Sequence, residues 1–486
     1  MTDRKWRGLL ISPLILAACS AGVPTRFTDP AAGFPEVSAQ TSMAIGKRTA
    51  FAQTQADNVD LKNQVHAMVY RKTISADTAV QAALLNNKGL QASYAAVGIS
   101  ATEVWQQSLP QNPVVSIGLF GLGAPELGFY RALEAAIAAN LLDSMTRKQR
   151  VAIADAQFQQ AQMRAVNDTL SLANQTRMAW INAVSAFETV SYLRQASEAA
   201  EAGAELAEKL GQTGALNKAG QARELAFNAE LAGQLAKARL QAALAKEDLT
   251  RSMGLWGSDV EYFVPDALPA LPSRLARISS IEAAALKNRV DLKVAQIGLE
   301  AQARAFGLTD QTRLVTDLEL IAGVESEREA DPGGTLTETR PQLELEFAIP
   351  IFDNGDARMR KAELAYMQAA NVLAEKAVNV RSEARSAEIA YHTTYRIARH
   401  YRDVVVPLRV TIEEEGLLSY NGMITNTFEL LTDVREKLGS GLEAANAKRD
   451  FWLAQANVKA AIYGGGSATS GGGEGMTIAA NGGAGH

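Results

Sequence analysis

The sequence predicts a mainly helical fold with a small β part, built twice over, and three observations carry that prediction. Residues 144–202 and 356–406 contain neither glycine nor proline; as helices they measure roughly 90 and 75 Å. Two pairs of short alternating runs, 113–122 with 131–141 and 315–325 with 341–352, read as strands. Similar stretches recur in the same order about 200 residues apart, the mark of a duplicated unit.

The chain opens with a basic head, Arg4, Lys5 and Arg7, followed by the apolar run LLISPLILAA and then Cys19. A basic head, a short apolar run and a small-residue site make a secretory signal. The run is too short to span a bilayer, which takes about 20 apolar residues. Leu16, Ala17, Ala18 and Cys19 are similar to the lipobox of a bacterial lipoprotein. That resemblance implies cleavage after residue 18, lipid on the Cys19 sulfur and, with Ser20 rather than aspartate next, sorting to the outer membrane. An ordinary signal with an incidental cysteine is the alternative. The rest of the chain has no cysteine, which fits an oxidising compartment where no disulfide is used.

Residues 19–75 form an N-terminal segment. The first repeat, 76–257, starts with a helix-like run at 76–108, and the second, 279–463, with one at 279–308. AALLNNKGL at Ala83 matches AALKNRVDL at Ala285 in Ala83/Ala285, Leu84/Leu286, Asn86/Asn288 and Leu90/Leu292. Leu133, Glu134, Asp143, Arg150 and Ala152 match Leu343, Glu344, Asp353, Arg360 and Ala362, and Gly214 falls opposite Gly422. Between the repeats lies a linker at 258–278 carrying Pro265, Pro269 and Pro272. A tail at 464–486, ten of whose residues are glycine, reads as disordered.

The long helices carry a coiled-coil seam. Leu231, Leu235, Ala238, Ala242, Ala245 and Leu249 recur at alternating steps of four and three, with alanines that let neighbours approach closely. A simple helical bundle has the same periodicity.

The strands are amphipathic. Leu318, Leu320, Ala322 and Val324 share one face, against Asp317, Glu319 and Glu325. Leu343, Leu345, Phe347, Ile349 and Ile351 oppose Glu344 and Glu346. In the first pair Leu133, Ala135 and Ile137 oppose Glu134, and Val115, Ile117 and Leu119 oppose Ser116 and Gly118. The polar stretch from Ser326 to Arg340, with Pro332, Gly333 and Gly334, reads as a long loop. Strands of about ten residues with this alternation have the size of membrane-barrel strands. Four strands cannot close a barrel, so several chains have to pool them. An ordinary four-stranded sheet in a periplasmic domain remains open at this point.

These features together resemble the TolC-type outer-membrane efflux protein family, in its lipoprotein branch. SLPQNPVVSIG at Ser108 is similar to the family's entry to the first strand. IPIFDNGDARMRKAELAY at Ile349 is similar to its strand-to-helix junction, and LSYNGMITNTFELLTDVREKL at Leu418 to the entry of its last long helix. The likeness covers about residues 76–463. It implies a homotrimer whose four strands per chain form one 12-stranded outer-membrane β-barrel and whose coiled-coil helices form an α-barrel through the periplasm. It also implies a passive exit duct of a tripartite efflux system, with a periplasmic adaptor and an inner-membrane transporter as partners. Glu134, Asp317, Glu319, Glu344 and Glu346 would face the barrel lumen. Leu345, Phe347 and Ile349 would face outer-membrane lipid. The periplasmic gate would be Glu429 and Asp433, which follow Gly422 and share a helix face, with Thr432 the alternative for the second acid. A duct for secreted proteins, or a structural periplasmic lipoprotein without a pore, are the alternatives.

No catalytic constellation, cofactor motif or metal site is expected. His392 and His400 stand eight apart, too far to share a metal, and no Walker-type phosphate loop occurs. A net charge of −5 argues against a nucleic-acid partner.

Overall fold

A computed structural model describes residues 25–123, 127, 129–214, 216–276, 280–331, 334–422 and 427–465. Cys19 and residues 466–486 lie outside the described residues. The helices are α1 (Phe34–Ile45), α2 (Gln55–Val69), α3 (Ala76–Asn86), α4 (Lys88–Ser108), α5 (Leu141–Gln212), α6 (Lys218–Met253), α7 (Ile281–Asn288), α8 (Val290–Gln311), α9 (Asp356–His400), α10 (Val406–Asn421) and α11 (Thr427–Tyr463). The strands are β1 (Val114–Phe120), β2 (Ala132–Asn140), β3 (Leu318–Asp331) and β4 (Gly334–Phe347).

The order α3–α4–β1–β2–α5–α6 recurs as α7–α8–β3–β4–α9/α10–α11. One detail makes the repetition physical. Helix α3 ends at Asn87 with φ −63° and ψ 120°, and α7 ends at Arg289 with φ −63° and ψ 122°. Each residue leaves the helix in extended geometry while its N–H still donates to the matched alanine, Ala83 or Ala285. The polar side chains then differ: Asn87 donates to the Ser252 carbonyl at 3.1 Å, and buried Arg289 pairs with Glu383.

The compact units do not follow the repeats. One comprises residues 1–61, 88–168 and 290–379, and the other 62–87, 169–289 and 380–486. Each takes corresponding pieces from both halves, because α5 and α9 run on from one unit into the other.

The first unit holds the whole sheet. Its helical part is centred on Phe34, Phe51 and Tyr94, with Phe34–Tyr94 ring centroids 4.9 Å apart, and on Phe27 edge-on to Phe158 at 5.6 Å. Gly33 starts α1 in a left-handed conformation (φ 82°), and a Cβ there would lie 2.7 Å from Phe158 and Val97. Only glycine meets both demands.

In the second unit the coiled-coil seam is real. Leu231, Leu235, Ala238, Ala242 and Leu249 are buried, and the first three pack with Leu193 of α5 and Leu438 and Leu442 of α11. A second cluster joins Tyr391 and Tyr395 of α9 to Phe451 of α11. The linker after α6 is extended and held by side chains of the long helices. Trp452 Nε1 donates to the Pro269 carbonyl at 3.1 Å, the Tyr395 hydroxyl to that of Pro272 at 2.9 Å, and the Leu268 N–H to Glu188 at 3.0 Å. Tyr262, fully buried, hydrogen-bonds Thr250, and burial pushes its phenol up to about 12.

Two expectations need correction. The segment from Ser326 to Arg340 is not a loop: β3 runs to Asp331 and β4 starts at Gly334, paired throughout. Alternating Thr335, Thr337 and Thr339 are good strand formers, and cross-strand Glu325–Arg340 supplies opposite charges. Hydrophobic alternation is blind to a ribbon that is polar on both faces. β4 in turn ends at Phe347, short of the expected 352. The second long rod is also not one regular α-helix. A π-helical turn at Tyr401–Val405 separates α9 from α10, because Pro407 has no N–H for the carbonyl four residues back.

Candidate functional site: the amphipathic sheet and the start of the last helix

The sheet has the order β1-β2-β3-β4, antiparallel throughout, so its middle pair joins the two halves of the sequence. The register sorts its residues by face. Val115, Ile137, Ala322 and Leu343 form one row; Ile117, Ala135, Val324 and Pro341 form the next on the same face. Ala139, Leu320 and Leu345 continue it, followed by Leu318 and Phe347. The opposite face carries Glu134, Glu319, Glu325, Glu344 and Glu346. The register thus brings four of the five expected lumen acids to one face. Asp317, just outside β3, accepts from Asn140 Nδ2 at 3.2 Å.

Among the described residues nothing covers the apolar face. Ile117 and Leu343 are each more than 70% exposed, and Val115, Ile137, Leu345 and Phe347 are exposed too. An ordinary half-buried sheet rests its apolar face on a helix or second sheet; this one does not. On the polar face Glu319 stands opposite Glu346, a like-charge pair that costs stability. Gly323 opens a lane across that face. Gln342 of β4 reaches over it to Glu134 of β2 at 3.2 Å, and a Cβ on Gly323 would lie 2.7 Å from the Ala135 carbonyl. Strands β1 and β4 each have one unpaired edge.

The junctions below the sheet are capped. Asn140 Oδ1 accepts from the Asp143 N–H at 2.8 Å to start α5. Before α9, Asp353 accepts from the Gly355 N–H at 2.9 Å, with Gly355 at φ 80°. The matched pair Asp143 and Arg150 form an ion pair; their counterparts do not, since Arg360 pairs with Glu363.

The expected gate acids begin α11. Gly422 caps α10, its N–H donating to the Leu418 carbonyl at 2.9 Å; residues 423–426 lie outside the described residues. Glu429 is exposed in the first turn of α11, and Asp433 and Thr432 are half-buried one turn on. The structure adds a set of ties just beyond them that sequence spacing gave no sign of. Arg435 donates to Glu224 of α6 at 3.1 Å and lies 4.2 Å over the Phe227 ring. Glu436 pairs with Arg409 of α10, and Lys437 with Glu413. Tyr192 of α5 leans on this layer; burial first, and then Glu413, push its phenol up. A Cβ on Gly441 would lie 1.9 Å from the Tyr192 hydroxyl, so that glycine makes room for the ring. The partners lie tens to hundreds of residues apart, beyond any local pattern.

Comparison with models of known families and with curated proteins finds no match. Solved structures do match. The chain is similar to the Campylobacter jejuni CmeC outer membrane channel, with 18% identity, 88% of this chain and 92% of that one covered, and a TM-score of 0.66. It is similar to the outer membrane protein VceC of Vibrio cholerae, with 16% identity, 80% and 96% covered, and a TM-score of 0.64. It is also similar to the open state of the Neisseria gonorrhoeae MtrE outer membrane channel, with 14% identity, 82% and 91% covered, and a TM-score of 0.63. The chain therefore has the fold of the TolC-type outer-membrane channels, long helices with a four-stranded β part.

Proposed function

We propose that this chain is the outer-membrane exit duct of a tripartite efflux system. Three copies pool four strands each into a 12-stranded barrel, and their helices continue as a tube through the periplasm. The observation that carries this reading is the sheet: an uncovered apolar face, a carboxylate-bearing face and two free edges. In lipid every backbone group needs a partner, so an open sheet has to close with further copies. The fold of the solved outer-membrane channels supports the same assembly. No helix among the described residues is long and apolar enough to cross a membrane.

Exposed apolar side chains on the helices also fit packing between copies: Ile389, Ile397, Leu408 and Ile412 on α9 and α10, and Leu240 and Leu244 on α6. The duct is passive. Its energy comes from an inner-membrane transporter reached through a periplasmic adaptor. Purified full chain in a planar bilayer should give discrete channels; a protein that inserts no conductance at all would leave the pore-less structural reading in its place.

The lipid anchor is part of this reading. Arg26 donates to Asp155 of α5 at 3.1 Å, which ties the chain to that helix at this point. From Leu141 to Asp155 α5 rises about 21 Å, and the chain from Cys19 to Arg26 reaches at most about 25 Å. A lipid on Cys19 can therefore enter the membrane at the base of the sheet while Arg26 keeps its partner. Cys19→Ser should abolish labelling with a radioactive fatty-acid precursor; a mutant that still takes up label would sink the assignment.

Glu429 and Asp433 would form the gate. Three copies of each place six carboxylates around the axis, which favours cations. Replacing both with alanine should widen conductance or weaken cation selectivity. Recordings that match the parent protein would put the constriction elsewhere.

A further inference from the structure

Apolar side chains continue past the end of β4. Ile349 and Ile351 keep the alternation of Leu343, Leu345 and Phe347, and are about 70% exposed; Phe352 is fully exposed. Leu314 before β3 and Met145 at the start of α5 are exposed at the same junction. An aromatic ring bare to water at the base of an apolar face has the character of a residue at a membrane–water interface.

Cations lie immediately beyond. Arg147 and Lys148 sit in the second turn of α5, and Arg360 and Lys361 in the second turn of α9. Three carboxylates near them are engaged by other cations, Asp143 by Arg150, Asp356 by Arg313 and Glu363 by Arg360, while Asp353 and Asp317 accept only from the Gly355 N–H and from Asn140. Arg147, Lys148 and Lys361 have no ion-pair partner among the described residues. The layer is incomplete in a second way. Asp143 Oδ2, Gln149 Oε1, Arg150 Nε and Arg358 Nε are buried there without hydrogen-bond partners. Buried polar atoms are rarely left so.

The direction of Lys148 follows from its helix. It stands two turns before Asp155 on the same face, and Asp155 is the partner of Arg26. Arg26 stands seven residues after Cys19. With the lipid anchor of the proposed function, the face that Arg26 holds is the outer, membrane-proximal face of α5 and not the lumen side. Lys148 lies about 12 Å along α5 from the last strand residue, within reach of a headgroup layer several Å thick when its own stem is extended.

We propose that this junction is a collar for anionic phospholipid headgroups of the leaflet that faces the periplasm, held by Arg147, Lys148 and Lys361 and bordered by Ile349, Ile351 and Phe352. The proposal rests on the reading of the sheet as a membrane barrel. The apolar residues fix the depth of the chain, and the cations select a negative headgroup at that depth. The N-terminal ends of α5 and α9, which favour anions, face the same layer.

The test uses the full-length lipidated protein in nanodiscs of phosphatidylcholine doped with phosphatidylglycerol. Retained lipid is counted by native mass spectrometry. The wild type should hold phosphatidylglycerol several-fold above its share of the mixture. R147Q/K148Q/K361Q should lose that preference altogether, each charge near the surface being worth up to about fivefold, and high salt should weaken it in the wild type. Equal retention by wild type and variant, or no preference for phosphatidylglycerol over phosphatidylcholine, overturns the collar. In a second set of discs that also carry lipid A, a protein that prefers lipid A to phosphatidylglycerol, and keeps that preference in the variant, binds at its other rim and overturns it too. If the variant fails to assemble, single substitutions K148Q and K361Q are read in the same way. Bilayer conductance of the wild type separates the two readings. Channels without lipid preference remove only the collar, whereas failure to insert removes the barrel and the collar with it.

Discussion

Leu345→Arg is expected to abolish assembly of the trimer in the outer membrane, while Glu346→Arg, one residue on, leaves assembly intact and lowers cation selectivity. Leu345 sits midway along the apolar run from Pro341 to Ile349 and pairs across the sheet with Leu320. An arginine on the lipid face at the bilayer midplane costs about 2–4 kcal/mol, and a symmetric trimer meets that cost three times. Glu346 faces the other way, directly opposite Glu319. Arginine there turns a like-charge pair into an opposite-charge one, so the strand pair should be no weaker. The pore of the proposed trimer meanwhile gains three positive charges where it had three negative ones. Trimer yield on unheated gels and reversal potentials in asymmetric salt are the two readouts. Equal trimer yield from both variants would show that this strand is not in a barrel wall.

Arg435→Ala is expected to loosen the start of α11 by about 3 kcal/mol. Its partner Glu224 is 5% exposed, and removing one member of a buried pair leaves a charge without compensation, a loss of about 3–5 kcal/mol. Arg435 itself is 30% exposed on its side chain, which places the effect at the low end. The contact over Phe227 goes with it. Hydrogen exchange should rise in the first three turns of α11, the segment carrying Glu429 and Asp433, and the closed channel should leak. The control is Arg435→Met with Glu224→Leu. An apolar pair of similar volume is often neutral or stabilising, so exchange should fall back towards wild type. If the double variant is as loose as the single one, the tie depends on the arginine stack and not on the buried carboxylate.

The two junction sequences show how far local reading reaches. The Asp353–Gly355 turn lies in the stretch whose resemblance marks a strand-to-helix junction, and α9 starts directly after it; the cap at Asn140 shows only in the structure. The polar hairpin from Ser326 to Arg340 escaped that reading, because its pairing is satisfied between strands and leaves no one-sided apolar pattern. The π-helical turn before Pro407 escaped it as well. Proline signals a break, but whether a long helix kinks, stops or widens by one residue depends on what packs beside it.

By itself the sequence determined what one chain can state locally: which stretches are rods, which runs alternate, where the seam on α6 lies, and that the whole order occurs twice. Those features are periodic, and periodicity is a property of neighbours along the chain. Tertiary structure alone decided that β2 pairs with β3, joining the halves into one sheet, and that no described residue rests on the apolar face of that sheet. It alone decided that Arg435 meets Glu224, and that three cations at the base of the sheet have no ion-pair partner among the described residues. Each of these is a contact or a missing contact between residues far apart in sequence, set by how the long helices lie against one another, and no spacing rule along the chain encodes it.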